Sequence, residues 1–251
     1  MTLRQEFDHF LGALRFFTRL PVPARIGHGS QGLEQAARYF PAVGLLVGTL
    51  AALVFVLAAQ VWPRTLAVLA AIAATLYATG ALHEDGWSDM VDGFGGGWEK
   101  SRILAIMKDS RIGSFGALAL VVLLLARFCA LVELDAALVP VALIAGHTLS
   151  RFAATTLLYG LDYVRDEGKS TPLARRLGGG ELLFGALTAG LPLLLLPPYA
   201  ALLGSLFAGL ATLWLARLFR RRIGGYTGDC LGATQQLAEL AFYGGLLCRF
   251  S

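Results

Sequence analysis

The chain has 251 residues, 56% of them hydrophobic and only 15% charged, with a formal net charge of +4. A soluble domain carries nearer a quarter charged residues, so this composition excludes an ordinary water-soluble enzyme and predicts an all-α, polytopic membrane helix bundle forming a single domain over 1–251. The positive balance does not indicate nucleic-acid binding, because in a membrane chain the placement of basic residues matters more than their sum.

Residues 1–40 are amphipathic. Phe7, Phe10, Leu11, Leu14 and Phe17 have helical spacing, with Arg4, Arg15 and Arg19 around them. The pattern predicts a helix lying at the membrane interface or packing on the bundle, ended by Pro21 and Pro23. Its acids and arginines leave no uninterrupted apolar core, which argues against a cleaved signal peptide. Six apolar spans follow, at roughly 42–62, 64–82, 114–134, 137–159, 182–197 and 199–219. A weaker seventh, about 232–248, is interrupted by Gln235, Gln236 and Glu239, which are expensive in lipid and should face the protein interior. Gly44 and Gly48 form a small-xxx-small pair suited to close helix contact. The three cysteines, Cys129, Cys230 and Cys248, form neither a disulfide framework nor a zinc motif.

The basic residues alternate with the spans. Arg4, Arg15, Arg19, Arg25 and Arg38 precede the first. Lys100, Arg102, Lys108 and Arg111 fall in the loop 83–113, Arg165, Lys169, Arg175 and Arg176 in 160–181, and Arg217, Arg220, Arg221 and Arg222 in 217–230. The intervening turns carry only Arg64. The positive-inside rule puts the N-terminus and every long loop on the cytoplasmic side.

Between the second and third spans lies His83–Gly97, HEDGWSDMVDGFGGG. If helical, its Asp85, Asp89 and Asp92 stand at i, i+4 and i+7 on one face, with Glu84 about 100° away. Like charges so spaced destabilise a helix unless something binds them. Oxygen-only ligands suit a hard cation such as Mg²⁺, which keeps waters and takes substrate phosphate. The loop continues Lys108-Asp109-Ser110-Arg111-Ile112-Gly113. Lys108 and Arg111 are candidate phosphate ligands, and Asp109 is a further metal ligand or a partner for Arg111. Gly113 and Gly116 let backbone approach a ligand or a neighbouring helix closely. His147 and Arg151 share a face of the fourth span. An arginine there is a functional candidate that would reach an acidic pocket or an anionic ligand. The glycine-rich turn 224–233 adds Asp229 as a possible oxygen ligand. Carboxylates, phosphate-type cations and glycine turns on one face are the inventory of metal-assisted phosphoryl transfer.

These motifs resemble the cobalamin synthase family, the adenosylcobinamide-GDP ribazoletransferases. The resemblance runs through Phe16–Pro23 (FFTRLPVP), Tyr39–Gly44 (YFPAVG), His83–Gly93 (HEDGWSDMVDG), Met107–Gly116 (MKDSRIGSFG) and Gly228–Ala233 (GDCLGA). It implies an Mg²⁺-dependent transferase of the bacterial inner membrane, working at the cytoplasmic face. The 3′-hydroxyl of α-ribazole or its 5′-phosphate attacks the cobinamide-side phosphorus of adenosylcobinamide-GDP, GMP leaves, and adenosylcobalamin or its 5′-phosphate forms. In that setting Mg²⁺ falls to Asp85, Asp89 and Asp92, with Asp109 and Asp229 as further candidates. Lys108, Arg111, Arg151 and Gly113 fall to the substrate, and Asp89 or Asp92 to the hydroxyl proton. Beyond substrates and bilayer the only partner the sequence allows for is a second copy of the chain, in a homo-oligomer.

Two alternatives are weaker. A CDP-alcohol phosphotransferase usually has Ala-Arg after its first Asp-Gly, where this chain has Trp87-Ser88. A cation-coupled transporter would place its acids near the bilayer midplane, away from Lys108 and Arg111.

Overall fold

A computed structural model of the chain describes residues 2–23, 26, 35–165 and 177–248. Arg25, Lys169, Arg175 and Arg176, counted above for charge asymmetry, lie outside the described residues. The described residues are helical, apart from turns and one isolated parallel bridge, Tyr163 with Tyr226. The helices are α1 (Leu3–Phe17), α2 (Phe40–Ala58, led in by a 3-10 turn, Ala37–Tyr39), α3 (Arg64–Thr79), α4 (Leu82–Gly96), α5 (Lys100–Ile106), α6 (Ser114–Glu133), α7 (Val139–Gly160), α8 (Gly179–Leu193), α9 (Pro198–Arg222) and α10 (Gly228–Leu246).

Proline sets several starts. Pro41, Pro140 and Pro198 occupy the first turns of α2, α7 and α9, where no N–H is missed. The amphipathic α1 begins with a Thr2–Gln5 capping box. It stops at Phe17, ahead of the prolines expected to end it, because Thr18 turns extended and its hydroxyl donates to Leu14 O at 2.7 Å. Leu11, Leu14 and Phe17 are buried, so α1 packs on the bundle, while Leu3 and Phe7 on its first turns are exposed.

Four described helices are long and apolar enough to cross a membrane: α2 with its 3-10 lead, α6, α7 and α9. That is fewer than the six or seven spans of the hydropathy pattern. α8 has 15 residues and α3 has 16, and α3 passes only together with α4, from which it is bent by 86°. We read α4, bent away and carrying four acids, as outside the spans. The bend is made by two successive left-handed residues, Gly80 (φ 66°) and Ala81 (φ 55°). The second is a conformation that a residue with a Cβ adopts at a cost.

α7 is the most enclosed span. The Gly44–Gly48 pair lays α2 directly on it. A Cβ at Gly48 would stand 2.7 Å from Ile144 Cα, and one at Gly44 would overlap the His147 carbonyl. α10 packs against α4, α7 and α9. Outward faces stay apolar though exposed, as at Leu118, Val122 and Leu125 on α6 and Leu206, Leu210 and Trp214 on α9. Such a girdle fits a lipid surround.

Candidate active site

The acid stretch is helical as the spacing predicts, and the three aspartates on α4 differ in surroundings. Asp85 is exposed, Asp89 half-buried and Asp92 buried. Asp92 does not face open space. Its Oδ2 accepts from Gly113 N at 2.7 Å and its Oδ1 from Gly116 N at 2.8 Å. A Cβ on either glycine would overlap that carboxylate. The close backbone approach expected at Gly113 and Gly116 is therefore made to a neighbouring helix. Asp92 thus acts as a strut fastening α4 to the start of α6, with one backbone N–H on each oxygen.

The other end of α4 is fastened by Glu84, on a different face. Glu84 Oε1 accepts from Arg127 Nη1 (α6) at 3.3 Å and from Gln236 Nε2 (α10) at 2.9 Å. Arg127 also donates to Gln236 Oε1, and its Nε lies 3.6 Å from Glu239 Oε1. Gln235 Nε2 donates to Glu239 Oε2 at 2.6 Å and to Ser150 Oγ at 3.0 Å, and His147 Nδ1 lies 3.1 Å from Glu239 Oε2. The inward-facing Gln235, Gln236 and Glu239 of the weak last span are thus all accounted for. Arg151, a substrate-binding candidate from sequence, sits in this cluster: it is 2% exposed, and its Nη1 donates to the His147 carbonyl at 3.0 Å. Its bonded partner is His147, which in turn lies beside Glu239, so it is buried inside the bundle. Arg127 escaped the sequence reading, although a lone cation in the apolar run 114–134 is the same signal that picked out Arg151.

A different acid joins Asp85 and Asp89. Gly86 and Gly232 bring α4 and α10 so close that a Cβ at Gly86 would stand 3.1 Å from Asp229 Cα. Burial first, then the carboxylates of Asp85 and Asp229, push Asp89 up to about 7. An aspartate ordinarily ionises near 4. Asp229 is paired with Arg165, Nη2 to Oδ2 at 2.8 Å, each side chain 20% exposed. Asp109 accepts from Nε and Nη2, one edge of the Arg111 guanidinium, at 3.0 and 2.7 Å, which holds its carboxyl down at about 2. Arg111 is 86% exposed, and Lys108 is exposed as well.

Among the described residues no three Asp, Glu, His or Cys side chains close tightly enough to hold a metal by themselves. The donor chemistry still fits Mg²⁺, which is bound by one or two carboxylates and completes its shell with water and substrate phosphate. The raised proton affinity of Asp89 comes first from burial and then from the Asp85 and Asp229 carboxylates, whose charge a cation would offset.

The cobalamin-5-phosphate synthase family model matches residues 9–247. Similar curated proteins are the adenosylcobinamide-GDP ribazoletransferases of Shewanella amazonensis (47% identical, covering 100% of this chain and 98% of the relative), Ralstonia pickettii (44%, 99% and 98%) and Shewanella woodyi (48%, 96% and 96%). No solved structure matches the chain.

Proposed function

The chain belongs to the cobalamin-5-phosphate synthase family and is a transferase, and from that premise we propose that it joins adenosylcobinamide-GDP to α-ribazole or its 5′-phosphate with release of GMP, at the cytoplasmic face of the bacterial inner membrane. The observation that carries the reading is the meeting of Asp85, Asp89 and Asp229 beside Arg165, where α4 meets the start of α10. The ribazole 3′-hydroxyl attacks the cobinamide-side phosphorus. A P–O bond forms, the bond to the bridging oxygen breaks, and GMP leaves with that oxygen.

Asp89, half-buried beside the other carboxylates, is the group we assign to accept the hydroxyl proton. Asp85, Asp89 and Asp229 are the residues that would hold Mg²⁺. We place Asp92 and Asp109 outside that set because their carboxylates are already held by Gly113, Gly116 and Arg111 within the fold. When bound, Mg²⁺ supplies Lewis-acid neutralisation of the pyrophosphate and of the departing GMP. Lys108 and Arg111, exposed on the loop before α6, would take the outer phosphate oxygens. Glu84 and Asp92 touch no substrate in this reading: they hold α4 so that Asp85 and Asp89 face outward.

The test is GMP release by the purified chain in lipid, with adenosylcobinamide-GDP and α-ribazole 5′-phosphate, with and without Mg²⁺, beside Asp89→Ala. Mg²⁺-dependent GMP release matched by corrinoid product, and lost in the variant, is expected. A folded wild-type chain that releases no GMP overturns the assignment.

A further inference from the structure

Asp162–Arg165 is held as a short strap along the turn before α10. Val164 N donates to Tyr226 O at 3.0 Å, and Tyr226 N donates to Asp162 O at 2.9 Å. The Tyr163 and Tyr226 rings meet edge to face with centroids 5.5 Å apart. A Cβ at Gly225 would overlap the Asp162 carbonyl, so the glycine is what lets the strap lie down. The next residue is Arg165, delivered onto Asp229 at 2.8 Å. Sequence reasoning counted Arg165 only as one of many loop charges.

Its setting differs from that of the loop cations. Arg111 is 86% exposed and its Nε–Nη2 edge is held by Asp109 within the same loop, whereas Arg165 is 20% exposed and is placed beside the acids by backbone hydrogen bonds. Its ion pair with Asp229 runs from one terminal amine. A guanidinium has five N–H donors in a planar fork, so the remainder can meet a second anion. A pyrophosphate approaching three carboxylates is repelled unless a fixed cation stands on its path, and arginine is the side chain whose geometry matches phosphate.

Building on the transfer reading above, we propose that Arg165 is a substrate-binding residue that takes a pyrophosphate oxygen of the nucleotide-activated substrate while anchored to Asp229. The chemical class it recognises is a phosphoanhydride. The ribazole acceptor makes no demand on it.

The experiment uses the full chain in lipid nanodiscs, as wild type, Arg165→Ala, Arg165→Lys and, as a control, Arg220→Ala. Arg220 is an exposed neighbour whose Nη2 donates to Gly160 O at 3.2 Å. Three quantities are read: KM for each substrate, Tm, and calorimetric binding of inorganic pyrophosphate with Mg²⁺. Arg165→Ala is expected to weaken pyrophosphate binding, and to raise KM for adenosylcobinamide-GDP, by about tenfold or more. The KM for the ribazole substrate stays at the wild-type value, Arg165→Lys recovers part of the loss, and Arg220→Ala matches wild type. Unchanged pyrophosphate binding in Arg165→Ala overturns the proposal, and so does a lowered Tm with both KM values moved equally, which marks a purely structural ion pair. A wild-type chain that binds pyrophosphate through Arg165 yet releases no GMP overturns the transfer reading alone. GMP release with normal pyrophosphate binding in Arg165→Ala overturns the arginine alone.

Discussion

Asp92→Asn separates a strut from a metal ligand. The carboxylate is buried and takes two backbone N–H groups, one per oxygen, at 2.7 and 2.8 Å. Asparagine keeps the volume, so no cavity opens, but it offers only one acceptor. Its amide would face the other N–H, donor against donor. A hydrogen bond to a charged group is worth about 1.5–3 kcal/mol, and an unsatisfied buried donor costs about 1–3 kcal/mol. The two effects overlap, and a net loss of roughly 2–4 kcal/mol follows. For a chain of this size each kcal/mol moves Tm by about 2–4 °C, so a fall on the order of 10 °C is expected. The assay is thermal unfolding of the detergent-solubilised chain in EDTA, where metal binding contributes nothing. A variant that melts within about 1 °C of wild type in EDTA, yet needs far more Mg²⁺ for half-maximal activity, would refute the strut and return Asp92 to the metal.

Arg127→Met leaves Glu84 and Glu239 buried without their shared cation and should cost about 3–5 kcal/mol, whereas the triple variant Glu84→Gln, Arg127→Met, Glu239→Gln should recover most of it. Unfolding midpoints decide, and a triple variant no better than the single removes the network's charge balance as the cause. Asp89 supplies a pH signature. Because its folded value lies near 7, above that of an unfolded aspartate, the native state holds a proton that the unfolded state releases, and metal-free stability falls as pH rises from about 4 to about 7. A bound cation favours the ionised carboxylate, so the Tm gain on adding Mg²⁺ should grow across the same window and lose that pH dependence in Asp89→Asn. A wild-type gain that is flat with pH takes Asp89 out of the cation site.

Much of this arrangement is legible before folding. The helix on which the shared face of Asp85, Asp89 and Asp92 is conditional is present. The polar interruptions at Gln235, Gln236 and Glu239 correctly predict an inward face. Gly44 and Gly48 predict the contact that α2 makes with α7. What periodicity does not convey is which member of a column is already satisfied. Asp92 is held by amides 21 and 24 residues downstream, and sharing a helix face says nothing about those partners. The same limit applies to Arg165, whose neighbour at the site is fixed by a strap that exists only once Gly225 and Asp162 meet. Arg151, picked out by its membrane placement, lies buried with its bonds on His147.

The clamp on Glu84 has a consequence for biosynthesis. Glu84 and Gln236, whose side chains bond at 2.9 Å, are 152 residues apart. At a ribosomal rate of about 5–20 residues per second, α4 waits roughly 8–30 s for that partner. Through that interval Arg127, already emerged on α6, is the neutralising group at hand for Glu84, and Asp92 can close on the amides of Gly113 and Gly116 almost at once. The acid helix is therefore pinned at its Asp92 end early and at its Glu84 end late. Asp229 and Glu239 arrive on the same late helix, so nascent chains halted before α10 carry a half-fastened α4 that lacks Asp229 as a neighbour.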